Sequence, residues 1–361
     1  MIKKIFIFFF FLISYSLFAQ EQDSLVDQSK IYFDVKKSSF KVLFDSCFFY
    51  SEQNPRLSIF FGLEALKKMD DNIDVNQKGL LLANIGSCYL DIGNYPKAIQ
   101  YYFEELKLYH DNNGEFNNHV IAASINIGEA YRAAADFNSA TEHLNNALQL
   151  ISISGKKANL PVALNRLSAV YYEIGTSNKD TNSIFKAISL ADSSINFARA
   201  KTDTGLIANN LNILGACHTY LGNYQKAIQY YSEAESFYPR GDVSRSNLLN
   251  NIANNYLLLN DFDKAIKFAT ESYNLSKPIG ILAYIREATG ILNKAYSKKG
   301  NYEKAFLFLD EYNSVSYHLY NDETRNKLML AEKKYEIDKN NRILEEEKII
   351  KFITISGIFI L

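Results

Sequence analysis

The sequence is poor in the residues that most often carry chemistry, since its 361 positions hold no tryptophan, three cysteines and five histidines. The cysteines, Cys47, Cys88 and Cys217, show neither a CxxC motif nor a Cys/His metal spacing. We interpret them as small buried helix residues, although export would allow one disulfide. The histidines form no HxxxH or HExxH pattern, and GxSxG and glycine-rich phosphate loops are missing. We therefore predict no catalytic residue, metal or cofactor.

Net charge and proline content are low as well. Lysine plus arginine number 39 and aspartate plus glutamate 40, so no basic field attracts nucleic acid, and we predict no nucleic-acid partner. Only five prolines interrupt the chain, which favours helices over its length. Hydrophobic residues make up 47% of the sequence and charged residues 22%, enough for a packed core.

The first 19 residues have the pattern of a secretory signal peptide. Lys3 and Lys4 precede an apolar run of 14 residues, from Ile5 to Phe18, and Ala19 is a small residue suited to cleavage. The run is short for a spanning helix, which needs about 20 residues. We predict a signal peptide over 1–19 and a lead-in over 20–42, with an uncleaved amino-terminal anchor as the alternative.

An internal repeat is the strongest pattern in the sequence. Residues 85–102 and 214–231 share, at identical spacing, a glycine, Tyr89 or His218, a Gly-Asn-Tyr turn and the string Lys-Ala-Ile-Gln-Tyr-Tyr. Five other copies of the frame begin near Phe49, Ile127, Leu167, Ile252 and Leu292. The copy at Leu167 fits the frame if residues 176–182 are an insertion that lengthens its turn.

This frame resembles the tetratricopeptide repeat. The resemblance implies an all-α fold, a right-handed superhelical solenoid of about seven helix hairpins over residues 43–313. The copies lie 38 to 47 residues apart, against a usual period of about 34, and the family's early tryptophan is missing. Small residues should let the two helices of a hairpin approach, and aromatic residues should fill the space between layers. The repeat-defining residues are Gly86, Tyr89, Ala98, Gly128, Tyr131, Ala140, Gly215, Ala227, Tyr256, Ala265 and Ala305.

The resemblance also implies that the first helix of each hairpin lines a concave surface. The corresponding positions hold Asn165, Asn212, Asn250, Asn254 and Arg132. An asparagine amide both donates and accepts hydrogen bonds, so it can bind a peptide backbone with little regard for side chains. We predict a polar groove for a protein or peptide partner. The alternative is that these are ordinary solvated residues of an asparagine-rich chain, and either interpretation expects them to be solvated.

Three polar residues of the repeat region are not expected to have a functional role. His218 occupies a repeat tyrosine position, so we predict that it is a core residue. Glu104 and Glu105 are adjacent carboxylates on one helix, and we predict that both are solvated.

After the repeats the pattern changes. We predict a long charged helix over 314–348, in which Leu330, Ile337 and Leu344 recur at seven-residue steps. This spacing favours a coiled coil, and hence a homodimer through residues 327–348, although a solvated single helix fits nearly as well. Residues 349–361 are apolar apart from one lysine and too few to span a bilayer, so we interpret them as the start of a membrane helix that is cut short.

The order of signal peptide, repeats, charged helix and membrane segment resembles the repeat-containing sensors of bacterial two-component systems. That resemblance implies a periplasmic repeat domain, anchored to the inner membrane by the C-terminal helix, that senses outside and signals inside. We predict no enzyme within these residues, whereas a longer chain could be a sensor histidine kinase. The alternative is a membrane-tethered or secreted scaffold for envelope proteins with no signalling role.

Overall fold

The computed structural model describes residues 38–52, 54–69, 74–113, 117–239 and 241–319, and in these ranges the regular structure is entirely helical. Fourteen α-helices follow one another, the number that seven hairpins require, so the all-helical prediction is confirmed. Their bounds are α1 Phe40–Tyr50, α2 Pro55–Lys67, α3 Val75–Asp91, α4 Tyr95–Asn113, α5 Asn118–Ala133, α6 Phe137–Ser154, α7 Leu160–Asn178, α8 Thr181–Ala200, α9 Thr204–Tyr220, α10 Tyr224–Glu235, α11 Arg245–Leu258, α12 Phe262–Ser276, α13 Leu282–Lys298 and α14 302–319.

The chain divides into two compact units, 1–92 and 93–361. In the first unit α2 packs against α1 and α3. A Cβ atom on Gly62 would lie only 2.7 Å from Ile85 Cγ1, so this glycine permits the close approach of α2 and α3. The Ser58 hydroxyl donates to the Cys47 carbonyl at 2.6 Å and accepts from Asn84 Nδ2 at 3.2 Å. Buried polar groups are therefore satisfied at the centre of this unit.

All three cysteines are free and buried, which confirms their interpretation as small core residues. Cys47 and Cys88 lie in the first unit and Cys217 in the second. Burial raises the pKa of each thiol, to about 12 for Cys217. These thiols are therefore protonated and shielded from solvent at neutral pH.

In the second unit each helix packs against the next along the chain, and first helices also contact first helices of the following hairpin, as in α5–α7, α7–α9, α9–α11 and α11–α13. The turn inside each hairpin needs one residue with positive φ. This residue is Gly222 (φ +76°) before α10 and Gly300 (φ +75°) before α14, whereas Ala135 (φ +59°) and Asn260 (φ +61°) occupy the same place before α6 and α12. Glycine adopts this conformation at the least cost.

The small residues of the repeat frame are buried, and two of its glycines lie where helices touch. A Cβ atom on Gly128 would stand 2.7 Å from Leu144 Cγ, and one on Gly215 would stand 2.6 Å from the Tyr231 ring. Gly86 is buried in α3. Ala98, Ala140, Ala227 and Ala265 are fully buried and Ala305 is nearly so.

The aromatic residues of the frame stack within four of the hairpins. In these four, the residue at the repeat tyrosine position lies parallel to an aromatic ring twelve positions later in the second helix, with centroids 5.4–5.8 Å apart. The stacked pairs are Tyr131 with His143, His218 with Tyr230, Tyr256 with Phe268 and Tyr296 with Phe308. His218 is buried, in agreement with its predicted core role, and burial and the charge of Lys226 lower its pKa.

Glu105 differs from its predicted solvated state. Its side chain is 4% exposed, and Oε2 has no hydrogen-bond partner. Burial raises the pKa of Glu105 to about 8, against a smaller opposing effect of a hydrogen bond with Asn126. Its neighbour Glu104 is exposed and accepts a hydrogen bond from Gln100 Nε2 at 2.9 Å. Adjacent positions on one helix thus face opposite environments, since α4 packs against α5 on one side only.

The predicted membrane and linker segments fall outside the part of the chain that the structure describes. These are the signal peptide 1–19, the heptad positions 330, 337 and 344, and the apolar segment 349–361. Across the described ranges, no helix has the length and hydropathy needed to cross a bilayer.

Candidate functional site

Two adjacent cavities open along the first helices of the second unit. We call the first, of about 410 Å³, cavity 1, and the second, of about 360 Å³, cavity 2. Cavity 1 is lined by Arg132, Asn165, Arg166, Ala169, Tyr172, Glu173, Asn209, Asn212, Ile213, Ala216, Asn247 and Asn251. Cavity 2 is lined by Asn250, Asn251, Asn254, Arg286, Glu287, Gly290, Ile291, Lys294 and Tyr312.

The five residues named from the sequence are shared between these cavities. Arg132, Asn165 and Asn212 line cavity 1, while Asn250 and Asn254 line cavity 2. Asn251, which the sequence analysis did not single out, lines both. The predicted positions therefore do lie on neighbouring surfaces, although Asn212 and the pair Asn250 and Asn254 belong to different cavities.

Asn165 is not solvated, contrary to expectation. Its side chain is 2% exposed, and Nδ2 donates to Asn210 Oδ1 at 3.0 Å. Asn210 is itself fully buried and donates from Nδ2 to the Ser194 hydroxyl and the Leu206 carbonyl, each at 2.8 Å. A buried amide needs such partners, because leaving it unpaired costs about 1–3 kcal/mol. Asn165 therefore joins α7 to α9 through this hydrogen bond. Only a small part of its side chain is exposed at cavity 1.

The next two first helices are joined in the same way. Asn251 Nδ2 on α11 donates to Asn212 Oδ1 on α9 at 3.1 Å. Asn255 Nδ2, one turn further along α11, donates to the Thr219 hydroxyl on α9 at 2.9 Å. Asn212 and Asn251 are half-buried, so their remaining donors and acceptors face cavity 1.

Asn250 also differs from the solvated state that was expected. It is 1% exposed, and Nδ2 donates to the Tyr284 carbonyl at 3.0 Å, which joins α11 to α13. Its Oδ1 is buried without a hydrogen-bond partner. Asn254 and Asn209 have more freedom, since Asn254 is half-buried at cavity 2 and Asn209 is exposed at cavity 1. Neither of these two amides would lose a helix–helix hydrogen bond by binding a ligand.

An ion-pair network of Arg132, Glu129 and Glu173 lies at the end of cavity 1 that α5 and α7 form. Arg132 donates from Nε and Nη2 to the two oxygens of Glu129, at 2.9 and 2.8 Å, and from Nη1 to Glu173 on α7. Burial would raise the pKa of Glu129, but Arg132 and Arg166 outweigh it and the pKa is lowered. Burial raises the pKa of Glu173 despite Arg132, and the two glutamates raise the pKa of Arg132 against its own burial. Arg132 thus joins α5 to α7 as a fixed cation.

Arg166 is the more accessible cation of cavity 1. Its side chain is 38% exposed, and its Nε lies 3.8 Å from Glu129 Oε2, beyond hydrogen-bond distance. Sequence reasoning missed this residue, together with Asn209, Asn247 and Asn251. The spacing of Asn209 and Asn212, and of Asn247, Asn251 and Asn254, follows one face of a helix and was the signal that could have found the asparagines.

Metal binding finds no support within the described ranges, where no group of three or more His, Cys, Asp or Glu side chains is arranged to hold an ion.

Comparison with known proteins agrees with this geometry. The family model described as tetratricopeptide repeat matches residues 77–152 and 206–277. The second matched segment includes nearly all of α9–α12, which contain most of the amides at the two cavities. No curated protein matches the sequence of the chain.

Solved structures share the helical arrangement at low sequence identity. The Rap conjugation gene regulator of plasmid pLS20, in complex with the Phr* peptide, matches with a TM-score of 0.59 and 14% identity, over 78% of this chain and 74% of that one. NprR in complex with its cognate peptide NprX matches with a TM-score of 0.55 and 16% identity, over 89% and 93%. A tetratricopeptide repeat protein from Parabacteroides merdae matches with a TM-score of 0.50 and 16% identity, over 81% and 98%. At these identities the likeness is one of fold.

Proposed function

We propose that the chain binds an extended peptide, or an extended segment of a partner protein, along cavities 1 and 2. The observation that carries this proposal is the pair of neighbouring cavities that share Asn251 and expose amides from successive repeats. Two of the proteins with a similar fold are complexes with peptides, which supports a peptide as the class of ligand. The proposal includes a right-handed superhelical course of the repeats in residues 93–319, with the first helices on the concave side.

The amides at the cavities have unequal roles in this proposal. Asn209 and Asn254 bind the peptide backbone, while Asn165 and Asn250 hold neighbouring first helices in register. Arg166 provides a cation for an acidic group of the ligand. Each neutral hydrogen bond contributes about 0.5–1.5 kcal/mol net, so two lost bonds weaken binding by about tenfold and do not abolish it.

The test uses peptides selected from a degenerate display library on the immobilised full-length chain, with affinity measured by fluorescence anisotropy. The double variant Asn209→Ala, Asn254→Ala should bind a selected peptide about tenfold more weakly. The matched control is Asn196→Ala, Asn274→Ala, because both asparagines are exposed on second helices and line neither cavity. If both double variants bind the peptide equally weakly, or if both bind it as the wild type does, the peptide does not bind in the two cavities.

We also propose that this binding region is the extracytoplasmic sensor of a membrane signal-transduction protein, held at the inner membrane by its C-terminal segment. The support is in the sequence, where a signal-like segment precedes the repeats and a charged, heptad-bearing segment and an apolar segment follow them. A phosphatase that requires disulfides for activity, fused after residue 319, should be active in cells only if the repeats are exported. An inactive fusion that is present at normal abundance would contradict export.

Signalling and scaffolding differ in their dependence on the linker. A sensor that relays through a dimeric coiled coil needs residues 327–348 to pair, and sedimentation of the detergent-solubilised chain should then give a dimer that Leu330→Glu, Ile337→Glu dissociates. A monomer that keeps its peptide affinity would favour the scaffold instead.

A further inference from the structure

Exposed apolar side chains run along one face of α14, the last helix that the structure describes. Their spacing brings them to one side of the helix, and they are Tyr302, Phe306, Leu309 and Tyr317. Val315 is buried on another side, where Phe308 stacks on Tyr296 of α13. The four exposed residues line neither cavity 1 nor cavity 2. We call them the α14 stripe.

The repeat frame identifies this face as one that earlier hairpins bury. Phe306 is 68% exposed, whereas the corresponding residues Ile99 and Ile228 are 6% and 5% exposed. Leu309 is 40% exposed, whereas the corresponding Tyr231 is buried. In those hairpins α4 packs against α5 and α10 against α11, the first helices that follow them. No described helix follows α14, so its stripe keeps apolar side chains where the end of a repeat array normally presents polar ones.

The stripe is in register with the heptads of the charged segment. Leu309 precedes Leu330 by three whole heptads, and Phe306 precedes Asn341 by five. The sequence has neither glycine nor proline over 301–356, so no helix breaker interrupts the pattern. One heptad pattern therefore begins within α14 and extends into the segment for which the sequence predicts a coiled coil.

The residue types along this pattern favour a parallel pairing with an identical chain. Leu309, Leu330 and Leu344 occupy the d positions, where leucine is typical of two-stranded coiled coils. Asn313 and Asn341 occupy a positions, and an asparagine there specifies register because it pairs best with the same residue of an aligned second chain. A segment of the same chain that folded back onto α14 would run antiparallel to it and would not align these asparagines.

We propose that the α14 stripe is a contact surface between two copies of this chain, which pair in parallel through Phe306 and Leu309. The inference rests on the homodimer of the proposed sensor and extends its interface into the repeat region. Tyr312 of the same helix lines cavity 2 and lies about one turn from Leu309. The contact between the copies is therefore next to the proposed peptide site.

The test is disulfide cross-linking of the detergent-solubilised full-length chain by copper phenanthroline. The native thiols are buried, so the wild type serves as the blank. Leu309→Cys should form a cross-linked dimer at least about tenfold faster than Leu307→Cys, because only thiols in the contact reach each other. Leu307 is the matched control, since its side chain is more exposed than that of Leu309 but lies about 160° around the helix axis from it.

Charged substitutions test the same surface through affinity. The double variant Phe306→Glu, Leu309→Glu should raise the dissociation constant of the dimer at least about tenfold in sedimentation, and Leu307→Glu should leave it unchanged. All three side chains are exposed in a single copy, so circular dichroism should show the helicity of the wild type in both variants.

Several results would overturn the proposal. Cross-linking of Leu344→Cys without Leu309→Cys would end the interface before α14 and leave the dimer of the proposed sensor standing. Equal cross-linking of Leu307→Cys and Leu309→Cys would mean that the copies meet by random collision.

A monomeric chain would overturn the proposal as well. Slow maleimide labelling of Phe306→Cys would then assign the stripe to another segment of the same chain, and rapid labelling would leave it uncovered. Cross-linking of Leu309→Cys without Leu344→Cys would instead support the α14 contact and contradict the coiled-coil linker of the proposed sensor.

Discussion

The buried carboxyl group of Glu105 makes the stability of this protein depend on pH in an unusual direction. Its pKa is about 8 in the folded chain, compared with an ordinary value of 4.5. Below about pH 4.5 the group is protonated in both states and has no effect on unfolding. Between these two values the unfolded chain loses the proton and the folded chain keeps it, so the free energy of unfolding falls as pH rises. The decline is about 1.4 kcal/mol per pH unit and totals about 5 kcal/mol by about pH 8.

Glu105→Gln tests this reasoning, because an amide of the same shape cannot ionise. Urea unfolding, followed by far-ultraviolet circular dichroism, would be measured at intervals between about pH 5 and pH 9. The variant should match the wild type near pH 5 and exceed its unfolding free energy by several kcal/mol near pH 9. Glu104→Gln is the matched control, since Glu104 is exposed on the same helix, and its profile should follow that of the wild type.

Parallel profiles for Glu105→Gln and the wild type would refute the argument. They would mean that the folded chain ionises Glu105 as readily as the unfolded chain does, and hence that water or a cation reaches the carboxyl group. A Glu105→Gln variant that is less stable at every pH would mean that the carboxylate is satisfied in the fold.

Three further predictions concern the helix contacts and the thiols. Gly215→Ala should cost about 1–3 kcal/mol in unfolding free energy, because its Cβ atom would meet the Tyr231 ring. Gly205→Ala is the control on the same helix, since the atom nearest to its Cβ would be 3.8 Å away. Thermal melting should show the control to be neutral or stabilising. Asn165→Ala should cost about 1–3 kcal/mol, because the Oδ1 atom of buried Asn210 would lose its hydrogen-bond donor, and Asn254→Ala should change stability little. Equal melting shifts would contradict the division into bridging and available amides. Burial raises the pKa of Cys217 to about 12, so this thiol should resist a disulfide reagent at about pH 8 until urea unfolds the chain. Rapid labelling of the native protein would show that α9 opens.

The helices and their pairing could be predicted because the repeat frame is local. A glycine at 128 or 215, an alanine twelve positions later and a short turn between them, Ala-Asp-Phe in the first case and Gly-Asn-Tyr in the second, specify a hairpin. The stacking of Tyr131 on His143 or of Tyr256 on Phe268 follows from the same frame, since the spacing is constant.

The burial of individual polar residues could not be predicted in this way. Asn250 and Asn254 are one turn apart on α11, yet Asn250 is 1% exposed and Asn254 lines open space, because only Asn250 meets α13. Glu104 and Glu105 differ for the same reason.

The contacts between successive first helices differ in kind, and this has a consequence for how the protein can evolve. α5 meets α7 through an arginine and a glutamate, α7 meets α9 through two buried amides, and α11 meets α13 through an amide and a main-chain carbonyl. Repeats of this type arise by duplication, and identical copies could be added or lost without penalty at any junction. Here each junction fits one neighbour alone. Deleting or exchanging the hairpin α7–α8 would leave Arg132 and Asn210 facing residues that do not complement them, so these junctions favour one order of the hairpins from α5 to α13.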